Sequence, residues 1–288
     1  MNRGELARAL TLVESSKPEH RQQALDLLQE LPRRPAHRVG ITGPPGAGKS
    51  TLIESLGLLA IEQGHRVGVL AIDPSSTRTG GSILGDKTRM QELSRHPLAF
   101  VRPTPSSGAL GGVARRTRES ILVLEAAGYD LILVETVGVG QSEVAVAHLV
   151  DTVLLLALPG AGDDLQGMKR GLMENADLIW VNKAEGERLP AARLAANQLS
   201  LALRLLGHGE VPVLLGSALE SPQLLWEALQ KVPRRERAPQ SLYWLEEGVR
   251  EELWTRFLQQ HQPQWEAVKE QVAAGAVTPE QALLDLLN

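Results

Sequence analysis

Two hydrophobic patterns alternate along the middle of this chain. Short, nearly unbroken apolar runs fall at residues 38–42, 66–72, 99–102, 131–135, 152–158, 178–182 and 213–216. Between most of them the apolar residues recur every three or four positions, as Leu52, Ile53, Leu56, Leu59 and Ala60 do after the first run. A continuous Val/Ile/Leu run suits a parallel strand covered by helices on both faces, and the 3.6-residue period suits a helix. The alternation predicts an α/β fold with a doubly wound, mostly parallel sheet. Right-handed crossovers then gather ligand loops at the carboxyl ends of the strands.

The two ends of the chain read differently. Residues 1–35 predict a helical N-terminal extension, with Ala24, Leu27, Leu28 and Leu31 on one face and Pro32 and Pro35 ending it. Residues 36–235 hold the strands. The stretch from Pro233 to Pro239 reads as a charged linker. In 236–288, Leu242, Leu245, Val249, Leu253 and Phe257 recur at helical spacing, and Trp244, Trp254 and Trp265 fall there too. Thr278, Pro279 and Gln281 carry the start signals of a last helix. Such an apolar strip covers either the helices of the sheet or a second subunit.

Composition narrows the classes. At 288 residues and 43% hydrophobic content the chain can build a large core. A net charge of −4 gives no footprint for nucleic acid or a membrane surface. No apolar stretch reaches membrane-spanning length, and the first residues lack a signal-peptide core, so a soluble, cytoplasmic protein is expected. With no cysteine there is no disulfide scaffold, thiolate metal site or thiol nucleophile. The seven histidines are scattered, none within five residues of another, which argues against a zinc or nickel site on one element.

The chemistry enters at Gly43-Pro44-Pro45-Gly46-Ala47-Gly48-Lys49-Ser50, which is G-x-x-x-x-G-K-[ST] between a strand and a helix. Its backbone N–H groups and the helix start suit phosphate oxygens. Lys49 should reach the outer phosphates, and Ser50, followed by Thr51, should ligate Mg²⁺. Other strands of the expected sheet also end in polar groups. The second ends at Asp73, expected beside the P-loop to hold a water on the metal. The strand at 131–134 is followed by Glu135, which can orient metal-bound water, and by Gly138, whose N–H can sense a γ-phosphate. The small-residue loop before Met90 offers Asp86 as a switch acid. Asn182-Lys183-Ala184-Glu185 stands where guanine-selective NTPases usually carry N-K-x-D. Asn182 is expected at the base edge, Lys183 along its face, and Glu185 accepting two N–H bonds that adenine lacks. Ser217 and Ala218 can close over the base. No catalytic glutamine directly follows the Glu135–Gly138 segment and no arginine finger is assignable by spacing. Turnover by the isolated protein should therefore be slow until a partner orders the switches.

Together these segments resemble the MeaB/ArgK family, the methylmalonyl-CoA mutase-associated branch of the metallochaperone-like P-loop GTPases. The likeness runs through residues 40–51, 73–76, 80–90, 135–143 and 159–169 and extends over nearly the whole chain. It implies a homodimeric GTPase, with 236–288 as a dimerisation arm. Such a protein chaperones an adenosylcobalamin-dependent acyl-CoA mutase, gates cofactor delivery, and protects or reactivates the enzyme. Carried over by position, Lys49 serves the phosphates, while Ser50, Asp73, Asp86 and Glu135 surround Mg²⁺ and its waters. Asp163, Gln166 and Lys169 belong to a further switch facing the mutase. The ligands are GTP and GDP, and the cobalamin stays with the mutase. The one departure is Glu185 in place of Asp.

Three other readings compete. An ATP-dependent kinase linked to amino-acid transport would need an acceptor pocket, and no motif supplies one. A nickel-insertion GTPase lacks its thiolates and clustered histidines. A nucleotide-gated scaffold would show partner affinity that depends on the bound nucleotide while turnover is irrelevant.

Overall fold

The structure, a computed structural model, describes residues 1–73, 90–105, 110–136, 146–159 and 170–287. Two helices open the chain. α1 (Arg3–Glu14) starts with a reciprocal cap: Glu5 N–H donates to Asn2 Oδ1 at 2.9 Å and Asn2 N–H to Glu5 Oε2 at 2.8 Å. α2 (Pro18–Glu30) begins on a proline whose missing N–H costs nothing in a first turn.

A seven-stranded parallel sheet follows, built from β1 (His37–Thr42), β2 (Val67–Asp73), β3 (Ala99–Pro105), β4 (Leu131–Glu135), β5 (Thr152–Ala157), β6 (Leu178–Val181) and β7 (Val213–Leu215). Their order is β3-β2-β4-β1-β5-β6-β7. The connecting helices are α3 (Lys49–Glu62), α4 (Gln91–Arg95), α5 (Leu110–Ala126), α6 (Arg170–Glu174), α7 (Leu189–Leu205) and α8 (Gln223–Lys231). β3 runs past its expected end through Pro103 and Pro105. It is an edge strand, so a missing N–H there can face outward without breaking a ladder.

Both faces of the sheet are covered. On one, Leu52, Ile53 and Leu56 of α3, Leu93 of α4, and Leu225, Trp226 and Leu229 of α8 join Val39, Ile41, Leu133 and Leu154 in one core. On the other, Ala192, Ala195, Leu199 and Leu203 of α7 meet Leu155, Ile179 and Val181. Full burial of each such aliphatic side chain contributes about 1.5–3 kcal/mol. The buried charges are paired. Arg38 grips both oxygens of Glu125 at 2.8 and 2.7 Å, and Arg237 forks onto Asp151 at 2.8 and 2.7 Å. Burial alone would raise the Asp151 pKa, but bonds from Arg237 and from the Arg38 N–H hold it below the usual carboxylate value.

The last three residues of the linker expected from Pro233 to Pro239 are helical. α9 (Arg237–Ala273) starts at Arg237, so Pro239 sits in a first turn that leaves its missing N–H without consequence. The chain divides into two compact units, Met1–Gln240 and Ser241–Asn288. In the second unit α9 carries Pro263 internally and is followed by α10 (Pro279–Leu287). The rings of Trp254 and Phe257 stack at 5.6 Å, and Trp265 meets Trp254 edge-on at 5.1 Å. Among the described residues no helix is long and apolar enough to cross a membrane.

Candidate functional site

β1 lies where the connections change direction, with β2, β3 and β4 to one side and β5, β6 and β7 to the other. A crevice opens at such a point beyond the carboxyl ends of the strands. The segment leaving β1 there is Gly43–Gly48, and its glycines are required by geometry. Gly43 has φ 145°, and a Cβ on it would lie 2.5 Å from the Leu156 carbonyl oxygen. Gly48 caps α3 in the left-handed region at φ 89°, and a Cβ there would meet the Asn182 amide nitrogen at 2.5 Å. The turn therefore aims the N-terminus of α3 into the crevice, where partial positive charge favours an anion. Lys49 folds back over the loop and donates to the carbonyls of Gly43 at 2.9 Å and Pro44 at 3.2 Å. That position poises its ammonium over the loop's interior.

Ser50 and Glu135 meet at the same end. β1 and β4 are neighbours with Ile41 opposite Glu135, and the Ser50 hydroxyl donates to Glu135 Oε1 at 3.0 Å. Ser50 is buried, and both groups offer the hard oxygens that Mg²⁺ prefers. Asp73 ends the strand next but one to β1. β4 lies between β1 and β2, so Asp73 ends a strand one place further from the P-loop than Glu135. The inserted strand adds about 4.8 Å to the separation. Pairing order, which no local pattern encodes, decides this. The side chain of Asp73 lies outside the described residues, as do Asp86, Gly138, Asp163, Gln166 and Lys169.

The base-side residues converge on Asn182. Its amide is buried, with Oδ1 accepting twice and Nδ2 donating once. Nδ2 donates to the Ala47 carbonyl at 2.7 Å, while Oδ1 accepts from the Ala218 N–H at 2.8 Å and the Trp180 indole N–H at 3.4 Å. Asn182 thus ties the P-loop to the loop after β7. Ser217 is buried beside it and accepts from the Leu219 N–H at 3.1 Å. Lys183 is held at φ 58°, a left-handed conformation uncommon for a side-chain-bearing residue, and Gly186 follows at φ 55°. Glu185 sits 3.6 Å from Arg188 through Oε1, while its Oε2 is buried with no hydrogen-bond partner. An orphaned carboxylate oxygen is costly, roughly 1–3 kcal/mol, unless a ligand donor meets it.

Two contributors carried no sequence signal. Trp180 supplies the third bond to Asn182, and its ring fills the space beside Gly216, where a Cβ would fall 2.2 Å from ring carbons. Arg188 anchors one oxygen of Glu185. A tryptophan inside a buried strand and an arginine on a surface turn are ordinary in a sequence. Their roles depend on which loops the fold brings together.

Comparison with known proteins adds to this geometry. Residues 6–262 match the family described as methylmalonyl-CoA mutase-associated GTPase MeaB. A protein of Mycobacterium tuberculosis named a probable GTPase is 60% identical over 238 residues, 80% of this chain and 71% of that protein. The GTPase ArgK of Escherichia coli is 47% identical over 272 residues, 87% of this chain and 81% of its own length. A crystal structure named as a LAO/AO transport system kinase superposes with a TM-score of 0.71 at 35% identity, covering 99% of this chain and 92% of that one.

Proposed function

From the premise that this chain belongs to the methylmalonyl-CoA mutase-associated GTPase family, MeaB, we propose that it serves as a Mg²⁺-dependent GTPase chaperone of an adenosylcobalamin-dependent acyl-CoA mutase. It gates cofactor delivery to the mutase and protects or reactivates it. The observation that carries the chemistry is the Ser50–Glu135 hydrogen bond at the start of α3, two oxygen donors held together beside a helix N-terminus. Mg²⁺, when bound, supplies charge neutralisation for the β- and γ-phosphates. Ser50 and Glu135 would hold it, with Asp73 added from the end of β2 and Asp86 from the segment that follows.

The chain's own groups do the rest. Lys49 leaves the Gly43 and Pro44 carbonyls for phosphate oxygens, exchanging neutral acceptors for charged ones. The N–H groups from Gly43 to Thr51 orient the phosphates. Guanine selectivity rests on Glu185, whose unpartnered Oε2 suits the ring N–H and amino donors of that base. Lys183, Ser217 and Ala218 flank the same base, and Gly138 senses the γ-phosphate. Asp163, Gln166 and Lys169 relay nucleotide state to the mutase. The 236–288 arm forms the homodimer, a reading supported by the exposed apolar strip on α9.

The test is GTP hydrolysis with and without methylmalonyl-CoA mutase from the same source. Slow turnover that rises on adding the mutase supports the proposal. Flat turnover with normal GTP binding removes that mutase as partner, and failure to bind GTP removes the nucleotide assignment. The likeness to a LAO/AO transport system kinase favours one alternative, phosphoryl transfer to an acceptor. Labelled phosphate appearing on an added protein or small molecule, rather than as free phosphate, would establish it.

A further inference from the structure

The opposite end of the sheet holds a cavity of about 110 Å³ that nucleotide chemistry does not use. Pro35, Ala36 and His37 line it from the start of β1, Asp130 and Leu131 from the start of β4, His65 from the turn before β2, and Trp226, Gln230 and Arg234 from α8 and the residues after it. The six residues of β1 separate it from the P-loop by about 20 Å at the strand rise.

Its polar groups are unequally satisfied. Asp130 is half-exposed and held through one oxygen, its Oδ1 accepting from the Arg66 N–H at 2.9 Å and meeting His65 Nδ1 at 3.3 Å. His37 is 5% exposed and joins Thr152 Oγ1 through Nε2 at 2.9 Å, yet its Nδ1 is buried with no partner. Arg234 contrasts with its neighbours. Arg235 is paired with Asp177 and Arg237 with Asp151 and Glu125, while no described residue pairs with Arg234. Arg234 is close enough to His37 for its charge to be the second cause, after burial, of that imidazole's lowered pKa. The cavity therefore combines an uncommitted guanidinium and an amide donor with apolar walls from Trp226, Leu131 and Pro35. Its one carboxylate, Asp130, is engaged through Oδ1 by Arg66 and His65.

We propose that this cavity is a binding site for a small organic anion, with a carboxylate or phosphoryl head on Arg234 and a short apolar body against Trp226 and Leu131. Size supports the class. The cleft is half open, and its volume of about 110 Å³ suits a small head group with a short carbon chain rather than a nucleotide. Chemistry supports it too, because the guanidinium fork matches both oxyanions in bidentate geometry. A buried donor or acceptor beside such a space is the arrangement of a pocket lined by apolar groups with a few polar ones.

The experiment uses the full chain saturated with GDP and Mg²⁺, so that the P-loop does not take up the probes. Isobutyrate, inorganic phosphate and the neutral isostere isobutyramide are titrated by calorimetry against the protein and against Arg234→Gln, an exposed position whose change should leave GTP turnover intact. The expected result is saturable binding of isobutyrate or phosphate at about 1 mM or tighter. Isobutyramide should bind at least about tenfold more weakly, and Arg234→Gln should lose the anion by a similar factor. Preference for isobutyrate identifies an organic acid, and preference for phosphate a phosphoryl head. No saturable binding of either anion, equal binding of isobutyramide, or unchanged binding by Arg234→Gln overturns the proposal. Dependence on Arg234 keeps this outcome separate from any failure of the nucleotide site.

Discussion

Glu185 is one methylene longer than the aspartate usual at this position in guanine-selective NTPases. Its conformation shows how the extra length is absorbed. Arg188 takes Oε1, and Oε2 remains buried and unpartnered. Charged hydrogen bonds contribute about 1.5–3 kcal/mol, so Glu185→Ala should weaken GTP by about 10- to 150-fold. Inosine triphosphate lacks the 2-amino donor, and the variant should bind it and GTP almost equally. Nucleotide titration checks this, and an unchanged ratio of the two affinities would sink the role. His37 makes a different statement. Burial first, then Arg234, pushes its pKa from 6.5 down to about 4. The unfolded chain takes up a proton there below about pH 6.5 and the folded chain only near 4. Stability is therefore full above 6.5, falls as the pH drops, and levels off below 4. The whole effect is up to about 3 kcal/mol, roughly 2 of it lost by pH 5. Urea unfolding at pH 7.5 and 5 should show that loss in the parent and a smaller one in His37→Gln. Equal losses would show that His37 contributes nothing.

Elements are where local pattern and structure part company. The strand runs were legible because parallel strands buried on both faces read as unbroken Val/Ile/Leu, and the P-loop because its glycines answer a local backbone need. Neighbour order was not legible. That β4 separates β2 from β1 depends on long-range pairing, and it brings Glu135 rather than Asp73 next to the P-loop strand. Asn182 could be picked out as important, but its bridging of Ala47 and Ala218 requires two loops more than thirty residues away on either side. The β6–β7 junction is equally tertiary. Gly216 donates to the Val181 carbonyl and accepts from the Ala184 N–H, and the Trp180 ring occupies the place a side chain on it would take. Gly216→Ala should cost about 1–3 kcal/mol from overpacking and lower the melting temperature by about 5 °C. It should also weaken GTP by displacing Ser217 and Ala218. Trimming the ring in Gly216→Ala/Trp180→Leu should recover part of the melting temperature. Unaltered melting of the single variant would mean that the ring moves aside freely.

At the scale of the molecule, α9 exposes Leu242, Leu245, Val249 and Leu253 at three- and four-residue spacing, with Trp254 beside Leu253. A strip of this kind needs a cover. A self-complementary one is met by a second copy. With the proposed dimer, Leu245→Glu/Leu253→Glu should halve the mass measured by light scattering and leave GTP affinity unchanged. A parent chain that is monomeric, or a variant that stays dimeric, would place the interface elsewhere or remove it.

What the sequence determined by itself was local: strands and helices from their periods, the phosphate loop from its glycines, the family from blocks of contiguous residues. The tertiary structure decided what lies next to what. Strand order, the Asn182 bridge, the ring beneath Gly216, the orphaned oxygen of Glu185 and the cavity beside His37 join residues far apart in the chain. Such contacts form because the sheet must bury both faces, and burial selects partners by shape across the whole fold rather than by spacing along the chain.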